Sequence, residues 1–127
     1  MTMKEKLGQL QQLSYGDETL SAGIIQRIAN GEVGSFLNVW KLENVNAMQK
    51  VAMEQSRLKI PLIHGRDVIH GFRTIFPIPL AQGASFNPDL AEAGSRVAAI
   101  ECSAMGNKWT FTPMVDIARD PRWGRIA

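Results

Sequence analysis

Pro61-Leu62-Ile63-His64-Gly65 is a short apolar run between a helical stretch and a loop rich in glycine and proline. Its length and its lack of apolar/polar alternation read as a strand buried on both faces, as parallel strands are. Toward the amino terminus, residues 43–58 place Val45, Met48 and Ala52 on one helical face, and Pro61 ends that run. Val33-Gly34-Ser35-Phe36-Leu37 reads as a second buried strand. Residues 19–30 carry Leu20, Ile24, Ile25 and Ile28 at helical spacing with Gly31 as a stop, and residues 3–13 carry Leu7, Leu10 and Leu13 likewise. Toward the carboxyl terminus, a loop runs from Asp67 to Ser85. Asn87-Pro88-Asp89 then opens a helix over 88–105, with Asn87 as cap, Pro88 at the first position and Asp89 at the positive end of the dipole. Leu90, Val97 and Ala104 mark its apolar face, Gly106 its end, and Trp109-Thr110-Phe111-Thr112 a third strand. Strands alternating with helices give an α/β fold of parallel βα units. In such sheets functional groups gather at the carboxyl ends of strands, so the segments beginning at Asp67 and after Phe111 share one face.

The whole chain supports that reading. Its 127 residues, 45% hydrophobic and 20% charged, suit one domain with a sizeable core and argue against disorder or coiled coil. A formal net charge of +2 gives no reason to expect a nucleic-acid or membrane partner. Cys102 is the single cysteine, so neither an internal disulfide nor a multi-cysteine zinc site is available. No stretch has signal-peptide or membrane-span character, and the sequence as written is expected in the cytoplasm.

Three groups of residues could carry chemistry. His64, Asp67 and His70 have metal-ligating side chains, but their spacing suits neither a helix-borne pair nor one strand face. The preferred reading puts His64 in the sheet and His70 in the loop, with no metal and no cofactor. Asp67, where the Pro61–Gly65 strand gives way to its loop, can accept two hydrogen bonds from neighbouring hydroxyls, or pair with an arginine. Arg73 offers a fork of donors nearby. The run from Asp116 to Arg125 holds Arg119, Asp120, Arg122, Trp123 and Arg125. It reads as a nucleic-acid patch, a solvated loop, or a rigid loop whose aspartates order its arginines and leave one for a ligand. The rigid loop is preferred, because Asp116 and Asp120 dilute the positive charge. Glu101 is expected in solvent, and Cys102 packed as a small apolar residue rather than acting as a nucleophile.

These residues carry a family resemblance. The strings Asp67-Val68-Ile69-His70-Gly71-Phe72-Arg73-Thr74-Ile75-Phe76-Pro77 and Trp109-Thr110-Phe111-Thr112-Pro113-Met114-Val115-Asp116-Ile117-Ala118-Arg119-Asp120-Pro121-Arg122-Trp123-Gly124-Arg125 are long and specific. Together with Ser56-Arg57-Leu58-Lys59-Ile60-Pro61-Leu62 and the opening Met3–Leu10 stretch, they resemble the amino-terminal part of glycoside hydrolase family 3, in its bacterial periplasmic β-glucosidase branch. The resemblance implies a (β/α)8 TIM-type barrel, of which residues 1–127 would supply about three of the eight strands with their helices. The rest of the barrel and a second domain would lie outside.

It further implies a retaining, exo-acting glycosidase, with β-glucosides and oligosaccharides as small-molecule substrates and export of the parent to the periplasm or outside the cell. The nucleophile aspartate, the acid/base glutamate and a sugar-holding Lys-His pair have no counterpart here, so no catalytic residue is assigned. Asp67, Arg73 and Arg125 match residues that bind glucose hydroxyls. Alone, such a fragment is expected to be inactive and prone to self-association through its open sheet edge. A stand-alone sugar-binding or interaction module, or a gene remnant, is the alternative.

Overall fold

The computed structural model describes residues 1–16 and 19–125. Among them the elements run α1 (Met3–Gln9), β1 (Gln12–Ser14), α2 (Ala22–Ala29), β2 (Ser35–Leu37), α3 (Leu42–Glu54), β3 (Ile63–Arg66), α4 (Pro79–Ala84), α5 (Pro88–Ala104) and β4 (Trp109–Thr110). The four strands form one parallel sheet in sequential order β1-β2-β3-β4. The α/β reading with parallel strands holds, with one more strand than the sequence suggested.

That extra strand comes from the stretch read as a single helix over 3–13. The helix stops at Gln9, and Leu13 pairs with Phe36 as part of β1. The leucine spacing misleads because Leu7 and Leu10 are exposed, whereas Leu13 packs on the core from a strand. Local chemistry explains the helix start. The Thr2 hydroxyl accepts from the Glu5 amide (3.2 Å), and the Glu5 carboxylate accepts from the Thr2 amide (2.6 Å), a capping box. Gly31 and Gly106 take positive φ angles (69° and 81°) just beyond α2 and α5, the left-handed geometry that ends helices.

The main core lies between one sheet face and α2 and α3. It gathers Phe36, Val33, Val39, Ile28, Val45, Met48 and Tyr15. A second cluster joins Val68 and Phe72, from the loop after β3, to Ala98 and Cys102 of α5. The buried stripe of α5 is therefore Gly94, Ala98 and Cys102, while Leu90, Val97 and Ala104 face outward. Small residues win this face because the helix lies close against the loop: the Phe76 ring is 3.4 Å from where a Gly94 Cβ would sit. Cys102 is packed as expected, and burial raises its thiol pKa.

Burial on both strand faces holds only in part. β2 is buried, but both residues of β4 are exposed. Phe36 and His64 stack on the helix side of the sheet (ring centroids 6.0 Å apart). On the other side, Trp109 and Phe111 lie over Gly65, and Ile63 is 50% exposed. Helices cover one face only, and the aromatic face lies open.

At the opposite end from the carboxyl ends of the strands, α1 lies flush on the chain. A Cβ at Gly8 would overlap the Gly31 carbonyl oxygen, and one at Gly34 the Gln9 carbonyl oxygen. Alanine at a helix position is intrinsically favoured over glycine by about 1 kcal/mol. Backbone overlap outweighs that gain, because neither partner is a flexible side chain. Gly8→Ala is expected to lose about 1–3 kcal/mol in urea unfolding. A gain in stability would show that α1 is not seated this closely.

Candidate functional site

β3 ends at Arg66, so Asp67 is the first residue past the carboxyl end of that strand. Its neighbours fix its backbone from both sides. The Arg66 guanidinium donates to Asn38 Oδ1 (3.1 Å) and stacks on the Trp40 ring. Trp40 in turn stacks on Phe72 (centroids 6.2 Å apart), and Val68 is buried in the second cluster. Asp67 itself is exposed, and it forms no ion pair with a described residue. A carboxylate held in this way can accept two hydrogen bonds from a ligand.

Asp67 lines a cavity of about 560 Å³, together with His70, Gly71, Ile75, Met114, Trp123 and Arg125. The first four follow β3, and the last three come from the segment beyond β4. The two segments that sequence reading placed on one face therefore do meet. Arg125 donates from Nη2 to Met114 Sδ (2.8 Å), which keeps its guanidinium at the cavity wall. Arg73 is not brought there: its Nη2 donates to Met105 Sδ (3.4 Å), over the end of α5.

The charged segment after β4 is ordered as the rigid-loop reading had it at one point. The Asp120 carboxylate accepts from the Arg122 amide and Nε (both 2.9 Å), and Arg122 holds the Asp120 pKa below its ordinary value. Two residues near the cavity escaped sequence reading in this role. Asp116 lines it. Glu101, expected in solvent, accepts from the Arg73 amide (2.8 Å), the Thr74 amide (2.9 Å) and the Thr74 hydroxyl (2.6 Å). Those bonds, the Thr74 hydroxyl first, draw its pKa down.

The histidines separate as expected. His64 is 1% exposed and neither ring nitrogen has a partner among the described residues; burial lowers its pKa to about 4. The His70 Nδ1 lies 3.0 Å from the Phe76 carbonyl oxygen, closing the turn that carries Arg73 and Thr74. Among the described residues, no group of three or more His, Cys, Asp or Glu is placed to hold a metal, and no helix is long and apolar enough to cross a membrane.

Comparison with known proteins places this architecture. The model of the glycosyl hydrolase family 3 N terminal domain matches residues 2–127. A periplasmic beta-glucosidase of Salmonella typhimurium is 45% identical over 127 residues, covering 100% of this chain and 17% of that protein. A lysosomal beta glucosidase of Dictyostelium discoideum is 30% identical over 155 residues, covering 99% of this chain and 19% of that protein. Among solved structures, a beta-glucosidase from Listeria innocua in complex with glucose superposes with a TM-score of 0.84 at 36% identity, over 99% of this chain and 19% of that one. The chain thus spans between a sixth and a fifth of these three relatives, and its four strands are an arc of their barrel. With the matching model, the 45% identity and the superposed fold in agreement, the chain belongs to glycoside hydrolase family 3.

Proposed function

We propose that residues 1–127 form the amino-terminal part of the barrel domain of an exported, retaining β-glucosidase, and that they supply part of its glucose subsite. The observation that carries this reading is the cavity at the carboxyl ends of β3 and β4, where Asp67 and Arg125 meet from segments distant in sequence. A carboxylate that accepts from two adjacent hydroxyls, beside an arginine that donates to sugar oxygens, suits a polyol ring. Such bonds aid catalysis when they tighten as the ring distorts. Arg73 belongs to the same proposal at one remove: its guanidinium, held on Met105 Sδ, does not line the cavity in this structure. The name of the Salmonella relative supports the periplasm as the parent's compartment.

Retaining hydrolysis needs a nucleophile and an acid/base carboxyl about 5 Å apart. Neither is assigned to these residues, so the isolated chain is expected to leave an aryl β-glucoside intact. The test is a hybrid in which the whole of this chain replaces the matching segment of the Salmonella enzyme. Release of aryl aglycone by the hybrid supports the reading. An inactive hybrid that is folded by circular dichroism overturns it.

The same proposal covers the chain's behaviour alone. Trp109 and Phe111 are 42% and 38% exposed beside Ile63, at a sheet edge with no further strand among the described residues. An open apolar edge pairs with another copy. Light scattering of the isolated chain is expected to show mass rising with concentration, and Trp109→Lys is expected to suppress that rise. A chain that stays monomeric at all concentrations removes this part of the proposal.

A further inference from the structure

Glu101 occupies the last turn of α5, where the helix dipole disfavours a negative charge. No basic residue lies in that turn to compensate. The carboxylate is instead compensated from outside the helix, by the two amides and the hydroxyl of Arg73 and Thr74. Its partners sit at the tip of a tight turn. The Phe76 amide donates to the His70 carbonyl (2.7 Å), His70 Nδ1 lies on the Phe76 carbonyl, and Gly71 pairs with Ile75 as an antiparallel bridge. Gly71 has a φ of 126°, and a Cβ there would overlap the Thr74 carbonyl oxygen.

This turn forms one wall of the site. His70, Gly71 and Ile75 line the cavity that Asp67 and Arg125 share, whereas Arg73 and Thr74 point the other way, onto α5. Apolar contacts hold the loop through Val68, before the turn, and Phe72, within it, both clustered with Ala98 and Cys102. Phe76 lies over Gly94. Glu101 supplies the polar anchor at the tip.

We propose that Glu101 is a positioning residue for substrate: it fixes the 70–76 turn from behind and so sets the distance between the His70–Ile75 wall and Asp67. This rests on the glucose-subsite reading. It assigns a role in binding to a residue that touches no substrate. Losing the anchor leaves the turn held by Val68 and Phe72 but frees its Arg73–Thr74 side. The cost then falls on substrate affinity rather than on the chemical step.

The experiment compares Glu101→Ala, Glu101→Gln and Asp67→Asn in the same hybrid enzyme. Glu101→Ala is expected to raise KM for an aryl β-glucoside about tenfold, with kcat per folded molecule within about twofold. Glu101→Gln keeps one acceptor oxygen and is expected to recover part of the loss. A purely structural role would lower the folded fraction and the melting temperature while leaving KM unchanged, and that result overturns the proposal. Asp67→Asn separates the two claims. If it impairs turnover while Glu101→Ala leaves KM alone, the subsite reading stands and the positioning role falls. If Asp67→Asn is silent, or the folded hybrid is inactive, the subsite reading falls and takes the positioning role with it.

Discussion

Asp67→Ala in the hybrid enzyme is expected to lower kcat/KM for a β-glucoside by about 10²–10³-fold, with both KM and kcat affected. A hydrogen bond to a charged group contributes about 1.5–3 kcal/mol when its partner is withdrawn from water. Two such bonds from adjacent hydroxyls give roughly 3–6 kcal/mol, and the lower part of that range, at 1.4 kcal/mol per tenfold, is the 10²–10³-fold expected. The structure gives no competing use for this carboxylate, since it forms no ion pair with a described residue and faces the cavity. Its removal is therefore expected to spare stability, because an exposed side chain with no packing role costs little to truncate. Asp67→Asn should fall between wild type and alanine, since one acceptor remains. Kinetics within twofold of wild type would take Asp67 out of the site.

The second large effect concerns stability against acid. His64 is almost fully buried beside Phe36, and its pKa falls to about 4 because burial penalises the charged ring. The unfolded chain takes up a proton on this residue near pH 6.5, whereas the folded chain resists until about pH 4. The folded state therefore binds fewer protons in that interval, and stability falls as pH drops through it. At 1.36 kcal/mol for each unit of difference, the loss is about 3 kcal/mol, complete near pH 4. The carboxylates whose pKa values are lowered, Glu5, Glu32, Glu101 and Asp120, act below their ordinary values of 4.5 or 3.8 and leave the upper part of the window to His64.

His64→Phe is expected to flatten the profile between pH 6.5 and 4.5. It should also raise stability at neutral pH by about 1–3 kcal/mol, because both ring nitrogens are buried without partners among the described residues. Urea unfolding at pH 5 and pH 7 checks both points. Equal stability of the wild-type chain at the two pH values would mean that His64 is not sealed from water.

The sequence made some of this legible and hid the rest for identifiable reasons. The βα alternation around Pro61–Gly65 was readable because β2 and β3 are short apolar runs with strong punctuation between them. β1 was hidden because three residues carry no period, and Leu13 happened to continue the spacing of Leu7 and Leu10. The apolar face of α5 was misread because large residues dominate a hydrophobic pattern, while this interface selects Gly94, Ala98 and Cys102 for closeness. Asp67 stood out because it follows a strand. Arg125 was set apart from the other arginines of its run by the family resemblance, not by its spacing. Glu101 carried one weak signal, an acid in the last turn of a helix, and its partners are backbone amides that no side-chain motif encodes. Its distance in sequence from Thr74 made the contact invisible without the fold.

The seat of α1 also bears on the order in which a growing chain can settle. α1 is made before the other described elements, and its capping box needs only Thr2 and Glu5. Everything else that holds it comes later: Glu32, which pairs with Lys4, Gly31 and Gly34, which leave room for it, and Arg57, whose guanidinium grips the Glu5 carboxylate. Until Arg57 has been synthesised, Glu5 lacks the partner that draws its pKa down to about 2. α1 is therefore fixed only after α3 exists. A pause in translation before residue 57 would leave the α1 residues undocked on the nascent chain.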